Sequence, residues 1–338
     1  MLLNLFSGSN EGVLFVVFGI VIVLFLAVDL GLVHKGPSKI SQKDALLQTI
    51  FWVIVSVIFG GLIYYFGEGK DAALEYFSAY VTEKALSMDN IFVILLILRY
   101  FKIKDEYYHD ILFWGILGAI VFRAVFIFLG AILIGEFHWI LYLFGIFLVY
   151  SGFKIFNEEE DMEIAPEKNL LMNWAKKILP ISTEDKAGKF VFREKGKLWF
   201  TQLFLVIVLI ESTDLIFAVD SIPAAFAITQ NEFIIYTSNI FAVMGLRAMF
   251  FLLANIIDKF YLLQKGLSVV LIMIGVKMLL EMQLIQDGFK AVFGMEHAHI
   301  SVTWSFIIII LTLTLSIVLS MLFPQKAKLV EPIDTIEK

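Results

Sequence analysis

The sequence contains no cysteine and few charged residues. The lack of cysteine excludes disulfides and thiolate metal sites, so any metal bound by this chain would meet oxygen or imidazole ligands, which suit Mg²⁺, Ca²⁺ and Mn²⁺ better than Cu⁺ or Zn²⁺. Only 17% of the 338 residues are charged and 60% are hydrophobic, whereas soluble domains are about 45–50% apolar. The net charge of −6 is spread over two aqueous faces and a membrane interior, so it does not indicate a nucleic-acid partner.

Motifs of common enzymes are also missing. There is no phosphate-binding glycine-rich loop, Walker pattern, HExxH zinc motif or nucleophile elbow. The lack of an ATPase domain favours a secondary transporter over a pump.

The first apolar run, 13–33, follows no basic segment and is too long for a signal-peptide core. We therefore interpret it as a retained helix, and we expect neither an enzyme nor a bound cofactor.

Long apolar runs recur along the whole chain and predict membrane-spanning helices. The predicted spans are 13–33, 45–66, 72–98, 111–134, 139–156, 198–228, 233–254, 261–281 and 302–323. These nine spans predict an all-α, polytopic fold with a single transmembrane domain. A polar segment at 157–197 separates the fifth and sixth spans, and a polar tail occupies 324–338.

Lysine and arginine residues are distributed unevenly between the spans. Alternate connecting segments hold 20 of the 26 basic residues, whereas the other segments hold only Lys70 and Lys290. Because basic residues concentrate in cytoplasmic loops, this predicts a protein of the inner (plasma) membrane with its N-terminus outside and its C-terminus in the cytoplasm. A miscounted span would mix the two sets, so the same distribution supports nine spans.

The two halves of the chain resemble each other in three places, in the same order. Residues 87–92 match 212–217 at an offset of 125, 122–126 match 246–250 at 124, and 152–154 match 275–277 at 123. The repeat unit is three spans, at 72–156 and 198–281. An odd number of spans reverses direction, so we predict inverted halves, an architecture of secondary transporters that bind their substrate near the midplane.

Polar side chains within the spans are the candidate ligands. A charge inside hydrocarbon costs about 2.5–3.5 kcal/mol on insertion scales, so each one suggests a function. The candidates are Asp29, Glu83, Asp89, Asn90, Glu211, Asp214, Asp220, Ser221 and Asn239. At about 100° per residue, Glu83, Ser87 and Asn90 share one face of the third span.

The acids of the sixth span do not share one face of an ideal helix. Asp214 and Ser221 lie on one face and Asp220 on another. Either there are two sites or the helix is irregular, and Pro223 favours irregularity because it has no N–H to bond the carbonyl of Val219. That freed carbonyl, beside Asp220, would be a further oxygen ligand.

Four basic side chains also lie within spans: Lys84, Arg123, Arg247 and Lys277. Six acids against four bases leave two negative charges, which one divalent cation or two protons would balance. This predicts exchange of metal for protons at an acidic site. We interpret Arg123 and Arg247 as structural counter-ions, one in each half, and expect Lys84 to pair with a nearby acid and keep the site closed.

Several candidates keep an alternative role. Asp29 serves either as a ligand or to hold the bundle together, and Asn239 either as a ligand or in a helix–helix hydrogen bond. His34 is interpreted as an interfacial histidine. The cluster Glu296-His297-Ala298-His299 could collect metal, but we interpret it as part of a solvated outer loop.

Two long motifs resemble a known family. Residues 83–90 (EKALSMDN) and 211–224 (ESTDLIFAVDSIPA) are similar to the two signatures of the TerC family of membrane proteins. The stretches 238–241 (SNIF) and 245–248 (GLRA) resemble its next element, and Asp29-Leu30-Gly31 with His34 resembles its first-helix pattern. The resemblance extends over about 25–280, with no departure inside the signatures.

This resemblance implies membership of the LysE-type superfamily, a link to Mn²⁺ efflux in bacteria and an older association with tellurium resistance. It also implies that the acids of the two signatures are metal ligands. We predict an Mn²⁺ exporter with Asp89, Asp214 and Asp220 at its centre, supported by Glu83 and Glu211. The expected partners of the protein are the transported ion and the lipid bilayer.

Export of Ca²⁺ or another divalent cation is one alternative. The other is a membrane scaffold for a metal or tellurite stress-response complex that docks on 157–197. Tellurite is an anion and suits an acidic path badly, so we expect no direct tellurite transport.

Overall fold

A computed structural model describes residues 9–33, 41–67, 69–157, 170–182, 188–194, 196–254, 262–280, 285–286 and 300–323. His34, the cluster at 296–299 and the tail at 324–338 lie outside these residues. The side chains of Asp29, Asp89 and Asp220 also lie outside the described part, although their backbones belong to described helices.

Helices account for most of the described chain. They are α1 (Ser9–Val33), α2 (Gln42–Phe66), α3 (Lys70–Tyr100), α4 (Tyr108–Glu136), α5 (Ile140–Asn157), α6 (Leu170–Ile178), α7 (Gln202–Ile228), α8 (Glu232–Met244), α9 (Leu246–Leu253), α10 (Leu262–Leu280) and α11 (Val302–Leu322). Every segment predicted to span the membrane overlaps a helix, or, at 233–254, the pair α8 and α9.

Six of these helices are long and apolar enough to cross a membrane, namely α2, α4, α5, α7, α10 and α11, and the bent pair α8–α9 makes seven if it is one span. The side chains of α1 are described only as far as Leu24, so the described apolar part of this helix is limited to Gly12–Leu24, and α3 carries seven charged residues. By length and composition, the described residues thus support six or seven of the nine predicted spans. Membrane crossing by α1 and α3 stays a prediction.

Side-chain caps define where two of the helices begin. Ser41 Oγ accepts the backbone N–H of Asp44 at 3.2 Å at the start of α2. Asn231 Oδ1 accepts the N–H groups of Phe233 and Ile234, at 2.9 and 3.3 Å, at the start of α8. Such caps satisfy donors that have no partner within the first helical turn, so the local sequence sets these two boundaries.

Between α6 and α7 the chain forms a small sheet, so the prediction of a purely α-helical fold is wrong for this segment. The strands are β1 (Ile181–Ser182), β2 (Val191–Glu194) and β3 (Lys197–Thr201), with β3 parallel to β1 and antiparallel to β2. β-branched and aromatic residues favour strands, and Gly196, at φ 79°, supplies the left-handed position of the β2–β3 turn. β3 leads directly into α7, so this helix begins at Gln202 and not at 198.

Pro223, the residue that predicts irregularity in the sixth span, lies inside α7 five residues before its end. The α-helix continues through it, and the freed carbonyl of Val219 stays a prediction. A break that the sequence did not predict occurs at Gly245, where the axes of α8 and α9 differ by 41°. A Cβ on Gly245 would lie 2.7 Å from Lys84 Nζ and 3.3 Å from Trp52 Cβ, so a side chain here would crowd the residues of α3 and α2 that lie against this position.

Helix contacts are reciprocal between the two predicted repeats. The first repeat consists of α3, α4 and α5, and the second of α7, the pair α8–α9 and α10. Equivalent helices pack on each other, α3 on α7 and α5 on α10. The other contacts also come in matching pairs: α4 contacts α7 and α8 contacts α3, while α5 contacts α7 and α10 contacts α3. Two halves related by a two-fold axis would pack in this way. Contacts alone do not define helix direction, however, so the inverted topology stays a prediction.

The backbones of α5 and α10 approach closely through glycines. A Cβ on Gly275 would lie 2.8 Å from the carbonyl oxygen of Gly145, and one on Gly152 would lie 2.8 Å from that of Ser268. Small residues at a helix interface allow this approach, which is common between membrane helices.

Apolar clusters lie on both sides of the polar part of α3. Tyr76 and Tyr80 belong to a buried cluster shared with α1, α2 and α8, whereas Ile91 and Leu98 belong to one shared with α4, α7 and α9. Glu83, Ser87 and Asn90 are buried on the stretch of α3 between these clusters, in the interior of the bundle.

Candidate functional site

A buried arginine lies at the centre of the polar interior. Arg123 on α4 is 1% exposed. Its Nη1 donates to Glu83 Oε1 on α3 and, at 2.8 Å, to Asn239 Oδ1 on α8. Its Nη2 donates to Asp214 Oδ1 on α7 at 3.3 Å. An unpaired buried charge is strongly destabilising. The charge of Arg123 is compensated because the guanidinium group bridges an acid from each predicted repeat.

Two amides fix the carboxylates on either side of this arginine. Asn239 Nδ2 donates to Glu83 Oε2 at 3.1 Å, and Asn90 Nδ2 donates to Asp214 Oδ1 at 2.8 Å. Both oxygens of Glu83 are therefore bonded, whereas Asp214 uses a single oxygen for both of its bonds.

Several buried oxygen atoms here have no hydrogen-bond partner among the described residues. They are Asp214 Oδ2, Asn90 Oδ1 and both carboxylate oxygens of Glu211, one turn before Asp214 on α7. All four atoms are acceptors. A buried acceptor without a donor is unfavourable, so this part of the site suits a ligand that brings positive charge or protons.

The carboxylate of Glu211 lies against a notch in α4 formed by two glycines. A Cβ built on Gly115 would lie 3.9 Å from Glu211 Oε1, and one built on Gly118 would overlap the carboxylate. The missing side chains at these positions make room for the acid. Neither glycine was among the predicted site residues, although small residues that recur on one face of a membrane helix are a signal for close approach.

A small cleft, with a volume of about 30 Å³, opens beside the network. Its walls come from α3, α4, α7 and α9, and its polar lining consists of Asn90, Thr213 and Asp214. The apolar lining residues are Ile91, Ile94, Leu112, Gly115, Ile116, Ala119, Ile210, Leu246 and Phe250. The few polar groups are thus concentrated where Asp214 and Asn90 have open oxygens.

Lys84 finds a main-chain partner among the described residues, and its pairing with an acid stays a prediction. Its Nζ donates to the carbonyl oxygen of Ala242, at 3.0 Å, near the end of α8. The carboxyl end of a helix offers carbonyls without intrahelical partners and a negative dipole end. The carbonyl oxygen of Ala242 and the negative end of the α8 dipole therefore stabilise the charge of the Lys84 ammonium group.

The structure brings together Glu83, Asn90, Arg123, Asp214 and Asn239, all predicted from the sequence. The shared face of the third span is confirmed, because Ser87 Oγ lies 3.5 Å from Glu83 Oε1 and Asn90 reaches the same network.

Two other predicted residues, Ser221 on α7 and Arg247 on α9, are also buried in the bundle. Among the described side chains, no group of three or more His, Cys, Asp or Glu could hold a metal ion. The acid-rich ligand set predicted from the sequence is therefore not present in the described part of the structure, and its roles stay predictions.

Comparison with known proteins identifies the family. Residues 68–328 match the Integral membrane protein TerC family. An "Uncharacterized membrane protein" of Rickettsia felis is 44% identical over 263 residues, which are 78% of this chain and 86% of the relative. Alx of Escherichia coli, whose name proposes a membrane-bound redox modulator, is 40% identical over 271 residues, 78% of this chain and 84% of the relative. No solved structure matches the chain. With a family match over most of its length, the chain belongs to the TerC family of integral, multi-pass membrane proteins.

Proposed function

We propose that this protein is a secondary transporter that exports a divalent cation, with Mn²⁺ as the favoured substrate. The observation that carries the proposal is the set of buried acceptor oxygens on Asp214, Asn90 and Glu211 that have no donor among the described residues. They lie inside a bundle of membrane helices, where a scaffold would have no use for them.

The local charge fits a divalent ion. Glu83, Glu211 and Asp214 contribute three negative charges when ionised, and Arg123 contributes one positive charge. One divalent cation balances the remaining two negative charges. The same carboxylates can hold protons when the cation leaves, which makes cation–proton exchange a natural cycle.

The donor chemistry selects the class of ion. Carboxylate and amide oxygens are ligands of hard cations, and the chain has no cysteine for softer metals. For the same reason this chain cannot carry out thiol-based redox chemistry with its own side chains. In the proposed site Asp89 and Asp220 complete the ligand set, and Asn239, Ser221 and Asp29 are further oxygen donors. Ca²⁺ accepts the same oxygen ligands and is the alternative substrate.

The proposed cycle uses the architecture predicted from the sequence. The repeats at 72–156 and 198–281 form one transmembrane domain in the inner membrane, with the N-terminus outside and the C-terminus cytoplasmic. The cation enters beside Asp214 and competes with Arg123 for its carboxylate. Rocking of one repeat against the other then exposes the site to the outside.

The decisive measurement is total cellular manganese in Mn²⁺-loaded cells at matched expression. Wild type, Asp214→Asn, Glu211→Gln and an empty vector are compared, with Glu232→Gln as a control because it removes an acid at the start of α8, outside the network. We expect low manganese only with wild type and Glu232→Gln. Equal manganese in all strains, with the proteins present in the membrane, would reject manganese export and make Ca²⁺ the next ion to test.

A further inference from the structure

Helix α6 packs on the bundle with one face and leaves another uncovered. Met172 is buried in the apolar cluster that includes Leu98, Leu203 and other residues of α3 and α7. Trp174 and Ile178 are four residues apart and so share a face, but they are 64% and 57% exposed. Two large apolar side chains side by side in water would be unfavourable.

The position of α6 along the bundle is set by the sheet that follows it. Ile181 pairs with Phe200 on β3, and the carbonyl of Pro180 accepts the N–H of Phe200 at 2.9 Å. Since three residues span at most about 10 Å, Ile178 lies close to the start of α7. The uncovered face is therefore at the level where a membrane helix begins, which is the bilayer interface.

Basic side chains accompany the apolar ones. Lys177 is exposed next to Ile178, and on the sheet the exposed Leu198 pairs across the strands with the exposed Arg193. The segment 170–201 has seven Lys and Arg against three Asp and Glu. A tryptophan and aliphatic residues bordered by basic side chains are typical of helices that lie in a membrane interface.

We propose that α6, together with the β2–β3 hairpin, rests on the bilayer surface and binds anionic lipid. Trp174 and Ile178 contact the boundary of the acyl chains, and Lys177 and Arg193 contact the phosphate headgroups, since basic residues near a membrane surface are attracted to anionic lipids. Because β3 continues into α7, this contact also positions the helix that carries Glu211 and Asp214. The inference does not depend on cation export.

The test uses the lack of cysteine, which makes any introduced thiol unique. A spin label on Ile178→Cys is measured in nanodiscs, and its collision rates with oxygen, which partitions into lipid, and with a water-soluble nickel chelate are compared. Leu311→Cys, exposed in the middle of α11, is the lipid control, and Lys102→Cys, exposed after α3, is the water control. In anionic nanodiscs we expect the oxygen-to-nickel collision ratio of the Ile178 label to lie between those of the two controls, well above that of the Lys102 label.

Lipid charge is tested on the same label. Moving from zwitterionic to anionic nanodiscs should raise the ratio of oxygen to nickel collisions at Ile178→Cys several-fold. Lys177→Gln should remove most of that rise. Lys70→Gln is the control and should not, because Lys70 begins α3 whereas α6 packs near the other end of α3, beside Leu98. Trp174→Cys replaces Ile178→Cys if the latter does not give a monodisperse protein. A label that resembles the Lys102 control in both lipids would overturn the proposal. A label shielded from both probes would also overturn it, because protein would then cover the face.

Discussion

The ammonium group of Lys84 donates a hydrogen bond of 3.0 Å to the carbonyl oxygen of Ala242. Ala242 lies one turn before Gly245, where α8 ends and the chain bends by 41° into α9. The preceding residue, Glu83, accepts a hydrogen bond from Asn239, one turn earlier on α8. Consecutive residues of α3 therefore hold α8 at two successive turns, directly before its break.

Replacing Lys84 with methionine should destabilise the protein. The change keeps the length of the side chain but removes the charged donor from the buried carbonyl of Ala242, and a hydrogen bond to a charged group is worth about 1.5–3 kcal/mol. A lower midpoint of thermal unfolding in detergent would show this. Lys70→Met, at an exposed position, is the matched control. Equal midpoints for both variants would contradict a stabilising role for this bond.

Gly118→Ala should impair transport without unfolding the protein. The new Cβ would overlap the carboxylate of Glu211 and displace it, and each 1.4 kcal/mol of lost cation binding lowers affinity about tenfold. We expect an apparent affinity for Mn²⁺ in proteoliposome uptake that is about tenfold weaker. Gly135→Ala, on the same helix with nothing within 4 Å of its added Cβ, should transport like wild type. Equal affinities for the two variants would argue against a role for the glycine notch.

Removal of Arg123 should be among the most damaging single changes. Arg123→Met leaves Glu83 and Asp214 buried without their cation, and breaking a buried ion pair in this way costs about 3–5 kcal/mol. Adding Glu83→Gln removes one of the two stranded charges, so the double variant should be less destabilised than the sum of the single variants. Thermal unfolding of all four proteins completes the cycle. Simple additivity would show that the contact is energetically unimportant.

Gly275→Ala should weaken the contact between α5 and α10. The added methyl group would lie 2.8 Å from the backbone oxygen of Gly145, and backbone cannot rotate away as a side chain can. Overpacking of this kind costs about 1–3 kcal/mol, which thermal unfolding can detect. Gly61→Ala, where nothing lies within 4 Å of the added Cβ, is the control and should unfold at or above the wild-type midpoint. The same midpoint for both variants would mean that the two helices can separate at little cost.

Features that depend on composition and spacing were predictable from the sequence. Apolar runs located all the long helices, and helical periodicity placed Glu83, Ser87 and Asn90 on one face. Side-chain partners between distant helices were less predictable. Arg123 was expected to be a counter-ion, but nothing local indicates that it would reach Asp214, 91 residues away.

Other features leave little or no local signal. Lys84 bonds a main-chain carbonyl, and every residue carries one, so the sequence cannot distinguish Ala242 from its neighbours. The break at Gly245 is equally hidden, because glycine is common inside continuous membrane helices. The three short strands were missed because a polar segment of mixed composition lacks a long run of alternating residues.

The contact between α5 and α10 restricts how the two halves can move. Where Gly145 and Gly275 face each other, a Cβ on Gly275 would lie 2.8 Å from the carbonyl oxygen of Gly145, with the side chains of Val149 and Leu279 packed close by. Side chains can change rotamer when two helices move, but a backbone carbonyl cannot. We therefore expect this contact to resist sliding of α5 along α10 more than rotation of one helix about the other.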